Sequence, residues 1–275
     1  MAGKVNIIIP ASNESALIGA CLAALLASRG VPRARVIVVA NGCQDDTAAV
    51  ARGFAERAEK RGWELLVETL ERGHKPGALN AGDALASEGA RVYLDADVVV
   101  SPDLLKQIFD ILDKETPLYA SGIVQIPQPA SLVSRAYARI YRQVPFMTQG
   151  VPGCGLFAVN PAGRMRWGVF PDIIADDTFV RLSFSPSERV SVSATYEWPV
   201  VEGWTALLRV RRRQNAGVHE ISAKFPSLAA NDDKPVLGSI QMLKMALRDP
   251  FGFAVYGAIG LLARGARDTG WSRGR

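Results

Sequence analysis

The sequence predicts an α/β fold built on a mixed, mainly parallel sheet that is flanked by helices. Short apolar runs rich in valine and isoleucine, such as residues 5–9 and 35–40, alternate with segments that have helical periodicity. This alternation is typical of βαβ units, whose parallel strands are buried on both faces. In addition, two carboxylates, Asp95 and Asp97, follow the run at 92–94, and such sheets bind ligands at their carboxyl edge.

In the first half of the chain, predicted strands and helices alternate regularly. We predict strands at 5–9, 35–40, 64–68 and 92–94, and helices at 14–28, 45–61, 76–86 and from Pro102 to about 113. The helix at 14–28 carries apolar residues three or four positions apart, and Pro102 suits a first helical turn.

The second half is less regular. We predict strands at 119–125 and 156–159, a strand or hairpin at 190–200, and helices at 131–142, 177–182 and 204–215. A glycine-rich segment occupies residues 150–155, and the helix at 204–215 is basic. No internal repeat or clear linker interrupts the chain.

Composition narrows the class of protein. A chain of 275 residues with 48% hydrophobic and 21% charged residues supports one substantial core, which excludes wholesale disorder. Three widely separated cysteines, Cys21, Cys43 and Cys154, fit neither a zinc site nor a disulfide framework. The run from 5 to 11 is too short and polar for a signal peptide, so we expect a protein of the cytoplasm.

The net charge of +5 is concentrated late in the chain. Residues 241–275 contain six basic residues against two acidic ones, namely Lys244, Arg248, Arg264, Arg267, Arg273 and Arg275 against Asp249 and Asp268. Basic patches interleaved with aromatic residues are absent, which argues against nucleic acid. The asymmetry favours a membrane surface instead.

The segment at 251–263 has no charged residue and is bounded by Arg248 and Arg264. A helix that spans a bilayer needs about 20 apolar residues, so this segment is too short. Two interpretations remain open: an amphipathic helix that lies on an anionic membrane, or an ordinary helix that packs on the domain.

Asp95 and Asp97 are the first candidate site residues. Side chains two residues apart on an extended strand point the same way, so the two carboxylates would share a face. Hard oxygen ligands suit Mg²⁺ or Mn²⁺, which usually partner phosphates. The alternative is a polar turn in which Asp97 acts as a cap.

Polar segments also follow the first two predicted strands. Pro10 to Glu14 follows the first, and Asn13 and Glu14 would hydrogen-bond a base or cap the next helix. Asn41 and Asp45 follow the second, where an Asn-Gly turn precedes two acids. One of those acids would meet a base or ribose, or serve as an N-cap.

Two more segments carry candidate residues. In residues 72–80, small residues at a helix start would let amides approach a pyrophosphate, and Lys75 adds charge; the segment is not a Walker loop. At Asp176 and Asp177, adjacent acids follow an apolar pair, and burying them is costly unless they bind or catalyse something. The alternative for this pair is a helix cap.

In this order, the segments resemble the family-2 glycosyltransferases of the GT-A fold, over roughly residues 4–215. The resemblance implies a nucleotide-sugar donor, most often UDP- or GDP-linked, and a Mg²⁺ or Mn²⁺ ion held by Asp97. The implied donor-site residues are Pro10, Asn13, Glu14, Asn41, Asp45, Lys75, Asn80, Asp95 and, for the diphosphate, Arg212. The implied acceptor-side residues are Gly153, Gly155 and Asp176, with Asp177 as the catalytic base.

The resemblance further implies a single displacement with inversion, in which Asp177 deprotonates an acceptor hydroxyl. Processive synthases carry Gln-x-x-Arg-Trp where this chain has residues 209–214 without that Gln or Trp. We therefore expect transfer of one sugar per event. The alternative interpretation of Arg212 and Arg213 is a solvated basic helix face or a patch that binds lipid headgroups, and His219 is either structural or a further metal or diphosphate ligand.

We expect a catalytic domain at 1–220 and a helical extension at 221–275 that associates with a membrane. The predicted acceptor is a saccharide or a lipid-linked glycan, and the predicted role is cell-surface glycan or exopolysaccharide assembly. Two other functions fit some of these features. One is a nucleotidyltransferase, although the glycine-rich loop expected after the first strand is missing; the other is a non-catalytic partner that binds nucleotide or glycan for a membrane synthase.

Overall fold

The protein is described here by a computed structural model that covers residues 5–264. The strands are β1 Val5–Ala11, β2 Arg35–Asn41, β3 Glu64–Leu70, β4 Ala90–Leu94, β5 Val99–Val100, β6 Tyr119–Gln125, β7 Leu156–Val159 and β8 Arg189–Glu197. The helices are α1 Ile18–Leu26, α2 Thr47–Arg52, α3 Ala55–Lys60, α4 Lys75–Leu85, α5 Leu104–Leu112, α6 Leu132–Tyr141, α7 Pro145–Thr148, α8 Pro161–Arg164, α9 Asp176–Leu182, α10 Trp204–Lys224, α11 Ser239–Arg248 and α12 Pro250–Leu262.

The chain divides into two compact units that alternate along the sequence. Unit 1 comprises the chain up to Val124, Gly153–Asp172 and Ser187–Trp198. Unit 2 comprises Gln125–Pro152, Ile173–Pro186 and the chain from Pro199 onward. The predicted boundary at residue 220 falls within α10, and the division at that residue remains a prediction.

Unit 1 is built around a mixed sheet. The eight strands of the described chain have the order β3-β2-β1-β4-β7-β6-β8-β5. The first four pair in parallel, whereas β7 is antiparallel to β4 and β6, and β5 is antiparallel to β8. The predicted α/β fold with a mixed sheet flanked by helices is confirmed.

The core of unit 1 lies on both faces of this sheet. Every residue of β1 is buried, as expected for a central parallel strand. Ile7 and Ile9 belong to the apolar cluster that includes the buried residues of α1 and α5. On the other face α4 approaches closely, because a Cβ at Gly82 would lie 2.4 Å from Ile8 Cγ2. Each such isoleucine contributes roughly 1.5–3 kcal/mol by its burial.

Some predicted elements differ in detail. The helix predicted at 45–61 is two helices, α2 and α3, separated at Gly53 and Phe54; glycine is about 1 kcal/mol less favourable than alanine inside a helix. The helix predicted from Pro102 begins at Leu104. The short strand β5 was not predicted, the bounds of α11 within the helical extension predicted at 221–275 were not given, and α10 is longer than the predicted helix at 204–215.

Unit 2 is helical, and α12 packs against α6 and α10. Tyr256 of α12 lies with its ring centroid 5.2 Å from that of Tyr137 on α6. Asp249 caps α12 by accepting a hydrogen bond from Gly252 N (2.9 Å), and it pairs with Arg139. The hydrogen bond from Arg139 holds the pKa of Asp249 below its usual value. Helix α12 is therefore anchored to the domain along one face.

Some apolar side chains of the C-terminal helices are exposed to solvent. Phe251, Leu261 and Leu262 of α12 remain exposed, so helix packing and exposed apolar surface coexist in this segment. Within residues 5–264, no helix combines the length and the hydropathy needed to cross a bilayer. Arg267, Asp268, Arg273 and Arg275, which contribute to the basic tail, lie outside the described residues.

Candidate active site

Loops that follow the parallel strands meet at the carboxyl edge of the sheet in unit 1. The buried side chain of Asn41, at the end of β2, joins three of them. Its Nδ2 donates to the carbonyl oxygen of Ala11 at the end of β1 (2.9 Å). Its Oδ1 accepts from the amide of His74, which precedes α4 (3.0 Å). Asn41 therefore sets the positions of these loops from inside the fold.

The loop after β1 is tied to the loop after β2 by side-chain hydrogen bonds. Asn13 adopts a left-handed backbone conformation (φ 58°), which asparagine tolerates better than most residues. Its Oδ1 accepts from Gln44 N (2.7 Å), and Glu14 N donates to Thr47 Oγ1 (2.8 Å). Pro10 lies beyond the register that β1 shares with β4, where the strand pairs with β2 alone.

Asp45 is an exposed carboxylate held in a fixed position beside this loop pair. It accepts hydrogen bonds from the amides of Ser15 and Thr47, each at 3.1 Å. Partial burial opposes ionisation, but the hydrogen bonds from Thr47 and Ser15 prevail and lower the pKa of Asp45 to about 2. At neutral pH the group is an acceptor for hydroxyl or N–H donors of a ligand.

His74 caps α4 and connects it to a distant segment. Its Nδ1 accepts from Gly77 N (3.0 Å), and its Nε2 lies 2.9 Å from Asp172 Oδ1. Because Nδ1 accepts, the ring proton sits on Nε2 and is donated to Asp172. Neither role of His74 was predicted, because a histidine three residues before Gly77 is a weak capping signal and nothing near His74 in the sequence indicates Asp172.

Asn80 lies on α4, and its side chain forms two hydrogen bonds with the backbone of Phe170. Its Nδ2 donates to the carbonyl oxygen of Phe170 (3.1 Å), while its Oδ1 accepts from the Phe170 amide (2.6 Å). Both ends of the side-chain amide are therefore used within unit 1. A direct contact of Asn80 with a donor remains a prediction.

Asp95 and Asp97 lie in a turn that begins where β4 ends, rather than on an extended strand. Val98 N donates to the carbonyl oxygen of Asp95 (3.1 Å), which closes the turn. Asp95 N donates to the carbonyl oxygen of Gly155 (2.8 Å). Burial still alternates, since Ala96 and Val98 are buried and the two acids are partly exposed. The two carboxylates therefore stay on the accessible side of the turn.

A lysine and a buried thiol lie beside these two acids. Lys75 Nζ lies 3.0 Å from Asp95 Oδ1, and both side chains are about one-third exposed. Burial raises the pKa of the Cys21 thiol on α1, and the charges of Asp97 and Asp95 raise it further. Because the two carboxylates lie two residues apart in one turn, they form one local cluster of negative charge, partly offset by Lys75.

The carboxylates of this cluster are suitable ligands for a divalent cation. Among residues 5–264, no group of three or more His, Cys, Asp or Glu side chains forms a complete metal cage. Mg²⁺ is usually bound by one or two carboxylates together with phosphate oxygens of the substrate. A pair of accessible carboxylates at a sheet edge therefore suits a cation that arrives with a phosphorylated ligand.

The glycines at 153 and 155 form a tightly packed turn directly against Asp95. A Cβ at Gly153 would lie 1.7 Å from Tyr119 Oη, and one at Gly155 would lie 2.5 Å from Trp198 Cδ1. Both residues also have positive φ, at 65° and 75°, which glycine adopts without strain. A side chain at either position would strain the backbone and would require Tyr119 or Trp198 to move, so glycine keeps the turn closely packed beside Asp95.

Asp176 and Asp177 belong to unit 2, where they begin α9. Asp176 is buried, and Asp177 is partly exposed. The Oδ1 of Asp177 accepts from Thr178 N (2.6 Å). The amide of Ile174 donates to Glu220 Oε2 on α10 (2.8 Å), so α10 fixes the backbone that leads into α9.

Arg212 and His219 lie on α10, also in unit 2. The Nη2 of Arg212 points to the carbonyl oxygen of Leu262 at the end of α12 (3.4 Å). The neighbouring Arg211 hydrogen-bonds Tyr137. Burial lowers the pKa of Arg211, but the phenol groups of Tyr137, Tyr256 and Tyr141 together raise it. His219 is exposed. Roles for Arg212 and His219 toward a diphosphate or metal remain predictions.

Comparison with known proteins decides the family. A family model described as glycosyl transferase family 2 matches residues 6–164, more than half of the chain. The chain belongs to glycosyl transferase family 2. The match contains the loops after β1 and β2, the acidic turn at Asp95 and Asp97, and the glycine turn, whereas Asp177 and α10 lie beyond it.

One curated relative and several solved structures are similar to this family-2 chain. Glycosyltransferase AglE of Haloferax volcanii is 36% identical over 95 residues, which are 34% of this chain and 30% of AglE. The match thus spans less than a third of AglE.

Among solved structures, mannosyltransferase PcManGT from Pyrobaculum calidifontis, in complex with GDP-Man and Mn²⁺, has a TM-score of 0.63 at 23% identity, covering 97% of this chain and 76% of its own. Glucosyl-3-phosphoglycerate synthase from Mycobacterium tuberculosis, with Mn²⁺, UDP and glucosyl-3-phosphoglycerate, has a TM-score of 0.53 at 18% identity, covering 80% and 79%. At these identities the likeness concerns the fold, and the predicted GT-A fold is confirmed.

Proposed function

We propose that this protein is a metal-dependent, inverting glycosyltransferase that moves a sugar from a nucleotide-sugar donor to a hydroxyl acceptor. The observation that carries the proposal is the cluster of Asp95, Asp97 and Lys75 at the carboxyl edge of the sheet in a family-2 chain. The solved structures that are similar in fold contain GDP-Man or UDP together with Mn²⁺. Those ligands support a nucleoside diphosphate and a divalent cation as the pair that this edge binds.

Different side chains at this edge are assigned to different parts of the nucleotide-sugar donor. Asn13, Glu14 and Asp45 contact the base and ribose, and the fixed anionic charge of Asp45 suits a hydroxyl or N–H donor. Lys75 and Asp95 face the sugar and diphosphate. Asp97 would hold the cation, which when bound would offset negative charge on the departing nucleoside diphosphate.

Transfer itself needs one base. Asp177 accepts the proton of an acceptor hydroxyl, and the hydroxyl oxygen forms a bond to the anomeric carbon. The bond between that carbon and the diphosphate oxygen breaks on the opposite face, so the configuration inverts. Arg212 of α10 is the candidate cation for the leaving diphosphate, since guanidinium groups match phosphate oxygens. One sugar is transferred per event, in the assembly of a cell-surface glycan or exopolysaccharide.

Ligand binding and product release test this proposal together. The melting temperature is measured with UDP, GDP, CMP and dTDP, each with and without Mn²⁺, because a ligand that binds only the folded state stabilises it. At 100 times its Kd, a ligand adds about 2.7 kcal/mol, which corresponds to several degrees. We expect one nucleoside diphosphate to stabilise the protein in a Mn²⁺-dependent manner.

The corresponding nucleotide sugar is then incubated with the enzyme, and the products are separated. Release of the nucleoside diphosphate supports a glycosyltransferase. Release of pyrophosphate from a nucleoside triphosphate and a sugar phosphate would instead indicate a nucleotidyltransferase. Binding without any turnover, with or without glycan acceptors and membranes, would indicate a non-catalytic binding partner.

We further propose that the C-terminal helices rest on the inner face of the cell membrane. Ile240, Leu243 and Leu247 of α11 are 74%, 61% and 73% exposed, and their spacing places them on one helix face. Phe251, at the start of α12, is 61% exposed. The basic residues Lys244 and Arg248 of α11 supply attraction to anionic lipid.

Replacing Leu243 and Leu247 together with glutamate is expected to weaken binding to anionic vesicles by about tenfold or more, because burial of each leucine contributes roughly 1.5–3 kcal/mol. Co-sedimentation with phosphatidylglycerol-containing vesicles measures this. Met165→Glu, at an 86% exposed position of unit 1, is the matched control. Equal vesicle binding by the double variant and the control would remove α11 from the membrane contact.

A further inference from the structure

Unit 2 contains a cavity of about 240 Å³ that the proposed mechanism does not use. The cavity is lined by Phe146, Gln149, Gly150, Val151, Pro152, Arg181, Asp233, Lys234 and Pro235. Pockets for drug-sized ligands usually measure roughly 300–1,000 Å³. This cavity therefore fits a small group of a substrate rather than a whole nucleotide sugar.

Arg181 forms one wall and is fixed by two acids. Its side chain is only 8% exposed. The Nη2 of Arg181 lies 2.7 Å from Asp232 Oδ1, and its Nη1 lies 2.9 Å from Asp233 Oδ1. A buried guanidinium held by two carboxylates is a rigid donor group. The two carboxylates largely neutralise its positive charge.

Lys234, an exposed residue, adds a further positive charge to the cavity lining. Its ammonium lies 5.2 Å from the centroid of the Phe146 ring. Partial burial, followed by the charge of Arg211, lowers the pKa of Lys234, and the opposing effect of Asp232 is smaller. Arg181 acts in the same direction as Arg211. Lys234 and Arg181 therefore bring an ammonium and a guanidinium to the lining of the same cavity, where both could interact with a bound anion.

One residue of the cavity lining, Arg181, lies on the same helix as Asp177, the residue assigned as the base. Arg181 follows Asp177 by four residues on α9, which places the two Cβ atoms about 5–6 Å apart on one helix face. Gly150, Val151 and Pro152 of the lining lead directly into the turn at Gly153. An acceptor whose hydroxyl meets Asp177 could therefore place a neighbouring group in this cavity.

We propose that the cavity around Lys234 and Arg181 binds a phosphate group of the acceptor. Ammonium and guanidinium groups are the usual protein ligands of phosphate, and the phosphate would come either from a soluble phosphorylated molecule or from a lipid headgroup. The inference rests on the proposed glycosyl transfer for the identity of the acceptor. The anion site itself is inferred from the cavity and from the charged side chains that line it.

The test uses ³¹P NMR line broadening of inorganic phosphate and glycerol 3-phosphate by the whole protein. The donor site is first saturated with Mg²⁺ and whichever of UDP or GDP binds. Lys234→Gln is compared with Lys114→Gln, which removes one exposed charge from unit 1, and with Lys75→Gln at the donor site. We expect Lys234→Gln to weaken phosphate binding by about tenfold, since a hydrogen bond to a charged group is lost. Lys234→Arg should retain most of the affinity.

Vesicles of phosphatidylcholine with and without phosphatidic acid identify the source of the phosphate. A loss of phosphatidic acid binding in Lys234→Gln supports a lipid headgroup, whereas a loss confined to glycerol 3-phosphate supports a soluble acceptor. Equal phosphate binding by Lys234→Gln and Lys114→Gln, at unchanged melting temperatures, overturns the proposal. So does phosphate binding that only Lys75→Gln weakens, or a Lys234→Gln variant that loses nucleotide affinity alone.

These outcomes separate the anion site from the proposed function. If no nucleotide binds to any variant, the donor assignment fails, but the phosphate signal and its dependence on Lys234 are still measured. If nucleotide and Mn²⁺ bind normally while phosphate binding does not depend on Lys234, only the anion site fails. Each failure therefore has its own readout.

Discussion

Asp97→Asn is expected to abolish the Mn²⁺-dependent part of nucleotide binding and to lower kcat/KM by at least about 100-fold. A bound cation supplies several kcal/mol of charge stabilisation to the leaving diphosphate, and each 1.4 kcal/mol changes a rate tenfold. Asparagine keeps the size and shape of the side chain but removes the charge that attracts the cation. The melting temperature with nucleotide and Mn²⁺, and the rate of nucleoside diphosphate release, measure the two effects.

The control for Asp97→Asn is Asp113→Asn, which removes one exposed carboxylate from the end of α5 in the same unit. This variant should bind and react like the unchanged protein. Nucleotide binding without metal should be nearly equal in all three proteins. A variant at Asp97 that keeps its full Mn²⁺-dependent stabilisation would show that another residue holds the cation, and Asp95→Asn would then be examined in the same way.

The strands of unit 1 could be predicted because their chemistry is local. β1 and β2 are almost wholly buried, so each is a nearly continuous apolar run in the sequence. Polar loop residues directly follow each strand. Parallel pairing then requires that the residues after Ala11, Asn41 and Leu94 meet at one edge. The position of Asp95 and Asp97 at that edge follows from the same rule.

Other parts of the site depend on contacts between distant residues, which leave little trace in sequence. Asn41 looks like a turn residue, but its buried amide joins the loops after β1 and β3. Asp172 lies 98 residues from His74, and nothing near either residue indicates their hydrogen bond. The ion pair between Lys75 and Asp95 likewise arises only when α4 and β4 are in place.

The organisation of the second half was harder to predict for a related reason. Unit 2 collects three separate parts of the chain, and no change in composition marks where the chain passes from one unit to the other. The helical extension at 221–275 was predicted without bounds for α11, whose exposed apolar residues recur at three and four positions. The short strand β5 has two residues and depends entirely on pairing with β8.

Asp177→Asn is expected to lower kcat by roughly 10²–10⁴-fold, the usual contribution of a general base. Asparagine cannot accept the proton of the acceptor hydroxyl, although it preserves the oxygen that accepts from Thr178 N at the start of α9. Donor binding should not change, since Asp177 is assigned to the acceptor hydroxyl and to neither the cation nor the nucleotide. Single-turnover transfer to an acceptor, together with the Kd of nucleotide with Mn²⁺, separates the two.

Asp176→Asn tells which of the two adjacent acids is the base. Asp176 is buried at 4% exposure, whereas Asp177 is partly accessible, and a base must reach the hydroxyl that it deprotonates. We therefore expect Asp176→Asn to lower the melting temperature more than Asp177→Asn, and to reduce kcat less. If Asp176→Asn instead removed transfer at full stability while Asp177→Asn remained active, the base would be Asp176. If both remained active, the proton would have to leave through a group outside α9.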